Sequence, residues 1–190
     1  MSTTTQGTIV SDKKSGVGRR HGVVSEVSAF FHVRPGHEAA LREACARFHA
    51  RLESAPLDYM QRFGLQGMRH VIFDNGTRMY WETLFDTDWQ PYVDDSVATL
   101  GIRTWFDWFQ HCEECPANLV DFSPQALRDF IQSAQVQAAG FYVTMSTKTI
   151  GELRKAIRVR EALDQVLEQP EASTLLQHPA LKPLLDEAAD

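Results

Sequence analysis

The chain has 190 residues, of which 43% are hydrophobic and 23% charged, the make-up of one globular domain with a core of its own. Nineteen Lys and Arg against 25 Asp and Glu leave a formal charge of −6, which argues against nucleic acid as a partner, since phosphates demand a basic surface. No apolar run reaches the roughly 18 residues of a membrane-spanning helix, and three cysteines (Cys45, Cys112, Cys115) cannot all pair, so no membrane partner and a reduced, cytoplasmic setting are expected.

Residues 1–22 hold no aromatic residue and no apolar periodicity, and read as a disordered leader. Four basic residues there (Lys13, Lys14, Arg19, Arg20) face one acid, Asp12. The Arg19-Arg20 pair suggests an export signal, but Glu26, His32 and Arg34 interrupt the apolar segment such a signal needs.

From Val24 onward, Val27, Ala29, Phe31 and Val33 alternate with Glu26, Ser28, Phe30 and His32, the period of a strand, and Pro35-Gly36 ends it. Leu41, Cys45, Phe48 and Leu52 then recur at helical spacing up to Pro56. After a loop through Phe63 and Gly64, two runs (GMRHVIFD and TRMYWETLF) flank Asn75-Gly76, which predicts a hairpin with a type I′ turn. Asp86, Thr87 or Asp88 caps a helix carrying Trp89, Tyr92, Val93 and Val97, and a second helix carries Ile102, Trp105, Phe106, Phe109 and Cys112.

Ser123-Pro124 is a cap followed by a favoured first residue, opening a helix with Leu127, Phe130, Ile131 and Ala134 inward. Gly140 to Ser146 predicts the fourth strand. A long helix from Thr149 to Pro170 turns Ile150, Leu153, Ile157, Leu163, Val166 and Leu167 inward, and residues 170–190 form a helical appendage broken by Pro179 and Pro183. The expected fold is α+β: a ferredoxin-like β-α-β-β-α-β core over residues 23–169, with a four-stranded antiparallel sheet and inserted helices. Helices on one side leave the other sheet face to a second copy, or else the helices between Ile102 and Ala134 cover it.

FFHVRPGHEAALREA, LFDTDWQPYVDDSV, HCEECP and FYVTMSTKTIGELR together resemble the dimeric α/β-barrel superfamily, in a little-characterised bacterial branch. That superfamily includes antibiotic-biosynthesis monooxygenases, chlorite dismutases and dye-decolourising peroxidases. The resemblance, over about Val24 to Gln169, implies a dimeric α/β barrel (a homodimer) and oxidative small-molecule chemistry, with haem held by a histidine as the alternative to a cofactor-free enzyme.

The residues themselves offer a small-molecule pocket between sheet and helices. His70, His32 and Arg69 are its candidate catalytic anchors, and Trp81, Tyr80, Phe85, Trp105 and Trp108 its candidate substrate contacts. Core packing accounts for the same aromatics, and a carbonyl-bonded core histidine for His70. His111-Cys112-Glu113-Glu114-Cys115 lacks the second ligand pair of a structural zinc site, so no metal is expected. Its histidine precedes the first cysteine, unlike covalent haem attachment, and its cysteines close a helix, where the dipole disfavours a thiolate. Cys112 in the core with His111 against the helix end is the plain reading; His111 as axial haem ligand is the alternative. A non-catalytic sensing or assembly module is the third hypothesis. Phosphate-loop, nucleophile-elbow and dinucleotide motifs are absent from the sequence.

Overall fold

A computed structural model describes residues 18–116 and 123–188. Most of the expected leader, residues 1–17, lies outside the described residues. The chain divides into two compact units, Met1–Ile150 and Gly151–Asp190.

The first unit is built on β2 (Val24–His32), β3 (Leu65–Phe73) and β4 (Arg78–Phe85), with the two-residue strands β1 (Arg20–His21) and β5 (Gln135–Val136). All pairings are antiparallel, in the order β1-β2-β4-β3. β2 is edged on its far side by β1 at Val24 and Ser25, and by β5 at Ser28 and Ala29. Strand structure therefore begins inside the stretch expected to be a leader, because Gly22, at φ +61°, lets Arg20 and His21 fold back on β2.

The expected fourth strand over 140–146 does not form, and the sheet has five strands rather than four. β1 already occupies the start of the β2 edge, and the return strand pairs directly after its helix, at Gln135–Val136. Residues 140–146 form an irregular segment in which Ser146 accepts a hydrogen bond from the Val23 amide at 2.7 Å. Tyr142 is left 75% exposed there.

The hairpin is present, but its connection has four residues, since Phe73 pairs with Arg78. Asn75 (φ +55°) and Gly76 (φ +89°) are left-handed as a type I′ turn requires, and Asp74 (φ +55°) joins them, so the chain makes a 3-10 turn in place of a two-residue one.

Period-two alternation sorts the sheet into two faces. Val27, Ala29, Phe31, Met79, Trp81, Thr83 and Phe85 are buried on the inner face, and cross-strand pairing puts His70 beside Trp81 there. Against this face lie α1 (Glu38–Ser54), α2 (Leu57–Arg62), α3 (Trp89–Leu100), α4 (Ile102–Phe109) and α5 (Pro124–Ala134), which share one hydrophobic core with it. α2 occupies a stretch expected to be loop. α4 ends at Phe109, three residues short of Cys112, because residues 110–112 turn so that Cys112 can bridge to Val33. α5 starts as its sequence dictates: Ser123 Oγ accepts the Ala126 amide at 3.1 Å, with Pro124 at the first helical position. The helices of the Ile102–Ala134 region thus serve the inner face. The outer face carries Ser28, Phe30, His32, Arg69, Val71, Phe73, Arg78, Tyr80, Glu82 and Leu84.

The second unit holds most of α6 (Ile150–Leu167), with α7 (Ala172–Leu175), a 3-10 turn (Pro179–Leu181) and α8 (Lys182–Ala188). The apolar stripe expected to point inward on α6 does not: none of its residues is buried, and Ile157 is 57% exposed. So short a unit has too little apolar chain to enclose a helix of this length. No helix among the described residues is long and apolar enough to cross a membrane.

Candidate functional site

Strand β3 places His70 on the inner face, and β4 places Trp81 directly across from it. α4 adds Trp105 and Trp108, three residues apart and so on one side of the helix; α1 adds Phe48 and His49. The three indoles form a triangle with ring centroids 6.1, 6.2 and 6.4 Å apart. His70 stands edge-on to Trp108 at 4.5 Å and to Phe48 at 5.6 Å.

His70 Nδ1 shares a hydrogen bond with His49 Nε2 at 3.0 Å. Burial, helped by the neighbouring His49, pushes the His70 pKa down to about 3, so its ring is neutral at physiological pH. Its Nε2 and the indole Nε1 atoms of Trp81, Trp105 and Trp108 are sealed from solvent and have no hydrogen-bond partner. These rings pack against one another between sheet and helices, where a small-molecule pocket was expected.

The remaining candidates lie elsewhere. Phe85 faces inward but belongs to a neighbouring cluster, stacked on Tyr92 at 4.3 Å with Trp89 at 5.9 Å. Arg69, Tyr80 and His32 project from the outer face, on the opposite side of the sheet from His70. There Arg69 pairs with Glu82 and lies over the Tyr80 ring at 5.4 Å. Ser28 Oγ donates to Glu26 Oε2 at 2.8 Å and so has only lone pairs left for Tyr80 Oη, which donates to it at 2.9 Å. Glu26 is fully buried and takes the Arg19 amide at 2.8 Å. His32, at the rim, bonds Glu114 at 2.7 Å.

His111 sits in the turn after α4, its Nδ1 3.0 Å from Nδ1 of His37 at the start of α1. Burial and the charge of His37 hold its pKa below the ordinary value. Cys112 and Cys115 are buried beside it; burial pushes the first thiol far up and the second to about 12, which fits inert core cysteines rather than a redox pair. Among the described residues no group of three or more His, Cys, Asp and Glu is placed to hold a metal.

A haem ligand needs a free ring nitrogen facing an apolar slot. His70 Nε2 is sealed, with Trp108 against its ring, and His111 lies at a polar turn whose backbone carbonyl takes the Arg34 amide. These surroundings do not fit haem.

Sequence reasoning missed His49, His37, Glu26 and Ser28. His49 meets His70 through a long-range pairing of helix and strand that no local spacing reports, whereas Glu26 was legible as an acid inside an apolar strand. No family model, curated protein or solved structure matches this chain.

Proposed function

We propose that this protein is a small-molecule binder on a ferredoxin-like half-barrel, taking an apolar ligand with hydrogen-bond acceptors at the cluster of His70, Trp81, Trp105 and Trp108. One observation carries this reading: four ring nitrogens, three of them obligate donors, lie buried in one aromatic cluster without partners. Each such group costs about 1–3 kcal/mol, and native interiors leave few of them. A ligand whose oxygens meet these donors removes that cost, and the surrounding rings supply the apolar contact. Phe48 marks the way in, since it touches His70, Trp105 and Trp108 on one side and lines an open groove between α1 and α4 on the other.

Binding is favoured over acid–base turnover because an imidazole with a pKa of about 3 is a weak proton acceptor near neutral pH. The ferredoxin-like reading is supported by the strand order β5-β2-β4-β3, with α1 between β2 and β3 and α3 to α5 between β4 and β5. The partner proposed for the outer sheet face is a second copy of the chain.

Titration with 2-naphthamide, followed by tryptophan emission and by native mass spectrometry, tests the binding reading. A saturable change in emission and a one-to-one adduct, both lost in His70→Ala at a pH where that variant is folded, are expected. No saturable change and no adduct overturns it.

A further inference from the structure

Between α1 and α4 runs a groove of about 420 Å³, lined on one side by Arg47, Phe48 and Arg51 and on the other by Arg103, Thr104, Phe106, Asp107 and Gln110. Arg47 and Arg51 are four apart on α1, so both lean to the same side of the helix. Asp107, the only acid among the described lining residues, is taken by Arg47 through two bonds of 2.9 and 3.0 Å. Arg51 and Arg103 make no ion pair among the described residues, although acids outnumber bases along the chain. The groove therefore keeps two uncompensated positive charges above an aromatic floor. Phe48 is that floor, only 1% exposed, and its far side touches the His70 and tryptophan rings.

We infer that the ligand is an aromatic carboxylate whose anionic end is held by Arg51 and Arg103 at the mouth of the groove while its ring displaces Phe48 from the floor to meet the cluster behind it. This inference rests on the binding reading above and adds the charge of the ligand to it. A planar guanidinium fork matches a carboxylate in geometry, and a charge-assisted bond is roughly twice as strong as a neutral one. The arrangement also gives order to entry: the exposed arginines meet the carboxylate first, and the ring follows into the apolar interior.

Calorimetric titration with 2-naphthoate and with its neutral isostere 2-naphthamide, on the full chain and on Arg51→Gln/Arg103→Gln, tests it. Both arginines are exposed, so the double variant keeps its fold, which its melting temperature verifies. The expected result is naphthoate binding about tenfold tighter than naphthamide to the wild type, with naphthoate losing far more affinity than naphthamide in the double variant so that the difference is abolished. Equal affinity for the two compounds, or a preference that survives in the double variant, overturns the carboxylate inference and leaves the binding reading standing. Failure of both compounds to bind the wild type overturns the two together.

Discussion

His49 Nε2 and His70 Nδ1 lie 3.0 Å apart, a contact between the first helix and the middle of the sheet in which a single proton is shared. One ring must donate and the other accept, so the pair is stable only while the accepting nitrogen stays unprotonated. That requirement ties the aromatic cluster to pH.

The folded state holds His70 near 3, while an unfolded chain returns it to the ordinary value of 6.5. Between those values the unfolded chain binds the extra proton, so folding stability contributed by neutral His70 is complete above about pH 6.5 and is lost as pH falls. The slope from this one group is at most about 1.4 kcal/mol per pH unit. Urea unfolding at pH 7, 6 and 5 should show a clear loss in the wild type and a flatter profile in His70→Gln. A variant with the wild-type slope would show that another group carries the dependence.

Gly76 is required twice over. Its φ is +89°, and an added Cβ would sit 2.7 Å from Glu38 Cγ on α1. Gly76→Val should cost about 1–3 kcal/mol through the backbone alone, read as a lower melting temperature. Asn75→Gly, at φ +55°, keeps the left-handed conformation and should be tolerated.

The thiols make a sharp chemical prediction. Cys45, Cys112 and Cys115 are all buried, and burial pushes the Cys45 and Cys115 pKa values up to about 12. A thiol reagent such as 5,5′-dithiobis(2-nitrobenzoate) at about pH 8 should find no fast-reacting cysteine in the native protein and three after denaturation. One fast thiol in the native state would reopen the Cys112–Cys115 pair as a redox site.

What could be read from the sequence was what period and caps encode locally. The alternation in β2 named the face that meets the helices, and Ser123-Pro124 named the start of α5, because each signal lies within a few residues. The last strand was misplaced because Gly140 to Ser146 has strand-like composition, yet the available edge of β2 is a tertiary fact. The site was half legible in the same way. Parity alone put Tyr80 opposite Trp81, but that His32 and Arg69 share the face of Tyr80 while His70 shares that of Trp81 followed only once the strands were in register. His49 had no local signal at all.

The outer sheet face supports the last prediction. Phe30 touches Tyr80 at 5.1 Å and Phe73 at 5.8 Å, Arg78 lies over Phe30 and Phe73 at 5.5 and 5.2 Å, and Val71 is 43% exposed. The helices of the Ile102–Ala134 region share their core with the other face and leave this one uncovered by them. It carries both Arg69 and Glu82, so a copy turned through a two-fold axis finds opposite charges as well as apolar contact. Phe30, Phe73, Tyr80 and Leu84 are already half-buried in one chain, so each adds only part of the roughly 1.5–3 kcal/mol of a full burial, and it takes several together to offset the entropy of association. Light scattering at micromolar concentration should give twice the 21.5 kDa of one chain. Val71→Arg, which puts two like charges at the symmetric contact, should return the mass to 21.5 kDa with the circular dichroism of a folded chain. A wild type that is already a clean monomer, or a Val71→Arg variant that stays dimeric, would remove this face as the interface.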